Sequence, residues 1–128
     1  MWILLLIGLV LVPVAASIWA RKSRPQYTAT ATGVGLGLVI SPLSLGLYAT
    51  YFTGPLGIVT GMVGLISLMF HGGPGYHIAI ALGIVPTGMV VEGAAHLYVE
   101  VANALFWAPL YGALGWVIDR LRKARVAL

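Results

Sequence analysis

Cysteine is absent from all 128 residues, which removes disulfide frameworks, thiolate zinc sites, iron–sulfur clusters and cysteine nucleophiles together. Charge is nearly absent as well. Only 8% of the chain is Asp, Glu, Lys or Arg and the acids number three, against about 25% charged residues in a soluble globular domain. So few charged groups cannot cover a small sphere in water, because short chains expose proportionally more surface. Intrinsic disorder is excluded too, since it needs low hydrophobicity and abundant charge. What fills the composition instead is 60% apolar residues and 17 glycines, at a mean hydropathy of +1.01. The solvent for most of such a chain is lipid.

The cationic residues are not scattered. Arg21, Lys22 and Arg24 form one group, Arg120, Arg122, Lys123 and Arg125 the other, and between Arg24 and Asp119 only Glu92 and Glu100 carry formal charge. Each group directly follows an apolar run of bilayer length. A nucleic-acid surface would spread such residues over a polar face. This placement is instead the positive-inside signature of cytoplasmic flanks resting on anionic headgroups.

The apolar segments are residues 2–20, 30–52, 56–70, 78–91 and 97–118, which make a single transmembrane domain over 1–128. The first is long enough to cross about 30 Å of hydrocarbon at about 1.5 Å per residue. It has no basic leader and its charges follow it, so it reads as a retained anchor with the N-terminus outside rather than a cleaved signal peptide. The second carries Ser41-Pro42, which predicts a kinked helix in which Ser41 or Ser44 serves the carbonyl that proline frees. Gly33-Val34-Gly35-Leu36-Gly37 is no dinucleotide fingerprint, because Leu38 stands where the third glycine belongs and no strand precedes it.

Residues 56–91 as one helix would reach about 54 Å, too far for one crossing. The polar stretch His71-Gly72-Gly73-Pro74-Gly75-Tyr76-His77 therefore predicts that the chain folds back, as two short spans joined by a Gly-Pro turn or as a re-entrant hairpin of half-helices. Parity restricts the choice. With both basic groups inside, the number of crossings is odd. The sequence thus predicts an all-α bundle of five spans, or three spans plus a re-entrant hairpin, with the N-terminus out and the C-terminus in. Gly33 and Gly37, Gly57, Gly61 and Gly64, and Ala108 with Gly112 recur at helical contact spacing, where small residues let membrane helices approach closely. They predict a tight bundle, a homo-oligomer or docking on another membrane chain.

Chemistry concentrates on one stripe. At about 100° per residue, Glu92, His96, Glu100 and Asn103 fall within a single arc of the last helix, and Trp107 and Tyr111 extend it. Ionisable groups at membrane depth turn toward a bundle interior or a wet cavity. Four readings compete. Glu92 and His96 could grip a metal ion, but completing the site needs a ligand from elsewhere, with His71 and His77 the other histidines. The stripe could be a proton or ion relay, and the prolines at Ser41-Pro42 and Pro86-Thr87 could mark broken transporter helices. His71, His77 and His96 could ligate haem, although they lie at segment ends. Interhelical polar contacts account for the stripe most simply.

No nucleophile, base and orienting group can be assembled, so no enzyme is expected, and no cofactor is required. The reading is a multi-pass protein of a prokaryotic inner membrane, acting as a non-catalytic subunit or packing partner of a larger membrane complex. A small proton, ion or solute carrier is the alternative. Both rest on a shared side for the two basic groups. In this cysteine-free chain, Ser23→Cys and Ala127→Cys are expected to label from the same face of sealed membranes; labelling from opposite faces contradicts the assignment.

Overall fold

A computed structural model of the chain describes residues 2–88, 91 and 93–126. Every regular element among the described residues is helical: α1 (Trp2–Ser23), one 3-10 turn (Pro25–Tyr27), α2 (Thr28–Tyr48), α3 (Pro55–His71), α4 (Gly73–Ala81) and α5 (Ala94–Val126). Three stretches, Leu4–Ser23, Pro25–Tyr48 and Ala94–Arg125, are long and apolar enough to cross a membrane. The bent pair α3–α4 raises the number to four if it counts as one span.

Proline and glycine set the punctuation. Arg24 precedes Pro25 and sits at φ −148, ψ 66, as expected where a following proline ring disfavours helical backbone. Pro42 and Pro109 leave α2 and α5 unbroken. The serines near Pro42 do different work from that predicted. The Ser44 hydroxyl donates to the Ile40 carbonyl at 2.6 Å, and Ser41 Oγ accepts from Asn103. The stretch from His71 to His77 also differs from expectation. Gly72 stays helical at φ −81, ψ −27, its N–H bonded to the Leu68 carbonyl at 2.8 Å, and Pro74 sits in the first turn of α4, where a missing N–H costs nothing. The chain bends there by 41° instead of reversing.

The stop comes later. Gly83 adopts φ +70, its N–H bonds to Ile80 O at 2.9 Å, and Ile84 N–H bonds to Ala79 O at 2.9 Å. This is a Schellman motif, whose left-handed position favours glycine. Among the described residues, the apolar run 78–91 therefore forms no helix of its own beyond Ala81, and Gly83 serves as a turn.

α2 lies at the centre. Along its seam with α5, Ala29 meets Gly115, Gly33 meets the Tyr111 carbonyl, Gly37 meets Ala108, and Ser41 meets Asn103. The two helices are thus antiparallel. α1 packs on α2 through Pro13 at Gly35 and Leu6 at Gly46. α3 descends beside the far end of α2, with Gly57 at Thr50, Gly61 at Tyr51 and Gly64 at Leu47 and Tyr48; Gly112 rests against Val34. α4 lies on the first third of α5, with Ala79, Val85 and Val99 forming a small apolar cluster.

The partition of side chains is the reverse of a soluble protein. The largest fully buried side chains are Asn103, Ser41 and Ser44, while Phe52 is 89% exposed, Leu56 84% and Met69 75%. Lipid satisfies large apolar groups outside as well as a core would, so helix contact is left to small residues and polar pairs. Asp119 closes one end. Its carboxylate accepts the N–H groups of Ala29 and Thr30 at 3.0 and 2.8 Å and the Thr30 hydroxyl at 2.8 Å, serving first-turn donors of α2 that have no helical partner. The contact brings the two basic groups to the same end, where Arg21, Arg122 and Lys123 line one cleft.

A Cβ at Gly37 would lie 2.5 Å from the Ala108 Cα, whereas one at Gly8 would meet nothing within 4 Å. Gly37→Ala is expected to lower unfolding stability in detergent by about 1–3 kcal/mol. Gly8→Ala is expected to leave it unchanged or slightly raised.

Candidate functional site

The break between α3 and α4 exposes backbone groups that no helix satisfies, the last carbonyls of one and the first N–H groups of the other. α5 answers both. The Trp107 indole N–H donates to the His71 carbonyl at 2.9 Å. Asn103 Oδ1 accepts the Gly75 N–H at 2.6 Å while its Nδ2 donates to Ser41 Oγ at 3.0 Å. Asn103 is wholly buried, so one amide ties α2, α4 and α5 together. Gly75 permits this closeness, since a Cβ there would collide with the Val99 carbonyl and Asn103 itself.

A line of hydrogen bonds runs on from the break. His71 Nε2 lies 2.7 Å from the Tyr111 hydroxyl. Its Nδ1 lies 2.8 Å from the Ser67 carbonyl and 3.2 Å from Ser67 Oγ. Ser67 Oγ is 2.6 Å from Ser44 Oγ. Counting protons fixes the sense of the line. A carbonyl only accepts, so the single Ser44 proton goes to Ile40 O, and Ser67 must donate to Ser44. Nδ1 then carries a proton toward Ser67, and in the neutral imidazole Nε2 accepts from Tyr111. The His71 and Tyr111 rings stack with centroids 6.0 Å apart, and Trp107 lies 4.8 Å from the imidazole. A cleft of about 450 Å³ between α1, α2 and α5 extends from Arg21 and Arg122 at the basic end to Tyr111.

The rest of the stripe lies nearer the start of α5. His96 Nδ1 is 3.9 Å from Glu100 Oε1, with side chains 37% and 17% exposed. Glu100 Oε2 is buried and has no hydrogen-bond partner among the described residues. Glu92 lies outside the described residues. His77 is exposed, and no three His, Asp or Glu groups among the described residues gather as metal ligands. Both ring nitrogens of His71 are engaged, which leaves none free to join His96 on a metal or to ligate haem.

The stripe reading missed the partners across the bundle. Ser67 and His71 are one turn apart on α3, a pattern visible in sequence, but only the fold brings them against Ser44 and Tyr111. Asn103→Ala would strand the buried Gly75 N–H. It is expected to lower stability by about 1–3 kcal/mol, measured by unfolding in mixed detergent, with Ser41→Ala costing less because it leaves that bond in place. No family model, curated protein or solved structure matches the chain in comparisons with known proteins.

Proposed function

We propose that this chain is a multi-pass protein of a prokaryotic inner membrane in which α1, α2 and α5 cross and the bent pair α3–α4 belongs to a re-entrant segment, and that it conducts protons through the bundle. The topology is supported by direction. α2 runs away from the basic end and α5 runs toward it, so whatever joins them leaves and re-enters on one face. α4 continues α3 with a bend of 41°, and residues 82–88 after it form no helix that could return across about 30 Å of hydrocarbon. Three crossings plus a re-entrant segment satisfy parity with both basic groups inside and the N-terminus outside; five crossings would need a returning helix after Ala81, and residues 82–88 form none.

The observation that carries the function is the hydrogen-bonded line Tyr111–His71–Ser67–Ser44. Interior polar groups in membrane helices mark ion and proton paths, and imidazole is the side chain suited to exchanging protons near neutral pH. A proton taken up at Nε2 from the Tyr111 side converts His71 to imidazolium; Nδ1 passes a proton on through Ser67 and Ser44 only when the Ser44 hydroxyl turns away from the Ile40 carbonyl, where the line otherwise ends. The cleft ending at Tyr111 supplies access from the basic end, and the His96–Glu100 pair lies on α5 toward the other.

A second reading, a non-catalytic subunit of a larger membrane complex, is favoured by Glu100 Oε2, which lacks a donor within the described chain and would find one on a partner.

Proteoliposomes with an entrapped pH dye separate the two. Under an imposed potential, the wild-type protein is expected to carry protons, and His71→Gln and Tyr111→Phe to cut the rate by about tenfold or more, a barrier increase of about 1.4 kcal/mol or more. If wild-type vesicles leak no faster than protein-free ones, conduction fails. Copurification of a stoichiometric second chain in mild detergent would then support the subunit reading.

A further inference from the structure

The basic end of the bundle is charged far beyond its own means of neutralisation. Arg21, Lys22, Arg24, Arg120, Arg122, Lys123 and Arg125 all belong to it, and Asp119 is the one acid beside them. Asp119 is already occupied, both oxygens accepting from Ala29 and Thr30. The ion pair found among the described residues is His96–Glu100, on the far third of α5; no arginine or lysine forms one. Two clefts open between these cations. One, of about 590 Å³, is walled by Arg21, Arg122 and Lys123 with Gln26 and Thr28. The other, of about 490 Å³, is walled by Arg120 and Lys123 with Tyr27 and Trp116. They adjoin, sharing Gln26, Asp119 and Lys123.

We propose that this pair of clefts is a binding site for an anionic phospholipid with two phosphates, a diphosphatidyl glycerolipid, one phosphate in each cleft with Lys123 between them. The chemistry follows from the walls. Guanidinium groups grip phosphate oxygens through paired donors, and Lys adds a compact charge. Arg120 is held 4.2 Å over the Trp116 ring, a cation at the wall of the second cleft, where Asp119, the acid that also lines it, is taken up by the start of α2. Tyr27 and Trp116 are the aromatic types that sit at headgroup depth. Toward the middle of the bundle, Leu114 and Ile118 are exposed and wall the cleft that also reaches Arg21 and Arg122, an apolar flank for acyl chains. Basic pockets between helix ends are suited to such headgroups. A headgroup with a single phosphate fills one cleft and leaves the other's cations unanswered. This site stands whether or not the bundle conducts protons.

The test uses the full chain purified in detergent and titrated with diphosphatidylglycerol, with phosphatidylglycerol at equal phosphate, and with inorganic phosphate, reading thermal midpoint and bound lipid by native mass spectrometry. Diphosphatidylglycerol is expected to raise the midpoint most and to bind one per chain. Lys123→Gln is expected to weaken it about fivefold or more, Lys123→Arg to retain it, and Lys22→Gln, outside both clefts, to change it little. Equal effects of the two lipids, equal losses in Lys123→Gln and Lys22→Gln, or a midpoint shift from inorganic phosphate alone that matches the lipid's would each overturn the proposal. A lipid-free midpoint for Lys123→Gln equal to wild type shows that lost binding is not lost folding; should that midpoint fall, Lys123→Arg decides, and failure of that variant to bind overturns the site.

Discussion

A peptide group in hydrocarbon has no water to bond, and each unsatisfied one costs several kcal/mol. In this chain the constraint is sharpest where α3 gives way to α4. A soluble protein would hydrate such a break; here α5 supplies the indole of Trp107 for one side and the amide of Asn103 for the other. Those two residues are four apart, so they project from one face of one helix, and they hold the end of α3 at a fixed depth. The position of His71 follows from this, and with it the contacts to Tyr111 and Ser67. The candidate site is built on the repair of a broken helix.

The remaining packing obeys the same solvent. Burying leucine or phenylalanine against another helix gains little when lipid offers equal contact, so the seams are lined by glycine, alanine and serine and the bulky side chains point outward. Close backbone approach then makes polar pairs between helices short and specific. Ser44 reaches Ser67, Ser41 reaches Asn103, and Asp119 reaches the start of α2 because nothing large intervenes.

Much of this was legible from composition and spacing. Lipid as solvent followed from the scarcity of charge, and the helical runs ending at Arg21 and Arg120 followed from their length and flanks. The polar face of the last helix was legible as a face, since Asn103, Trp107 and Tyr111 recur at helical intervals. What those residues touch was not, because His71 approaches Tyr111 across forty positions and only tertiary packing sets that distance. Gly72-Gly73-Pro74-Gly75 misled for a local reason. Glycine and proline are turn residues by statistics, yet proline in a first helical turn and glycine at a close approach are equally consistent with continuing helix. The signal that did end the helix, Gly83 in a left-handed position, was indistinguishable from the other glycines in an apolar run. Asp119 stands in the sequence as one acid just before a basic group, and its role as a cap for a distant helix had no sequence signature.

That cap imposes an order on assembly. Asp119 lies 90 positions after Ala29, so the ribosome adds that many residues before the carboxylate exists to receive the amides at the start of α2. The first hairpin of helices reaches the membrane with that junction open to the aqueous boundary. Closure waits for α5, and the start of α2 is fastened to it only once that helix has been made.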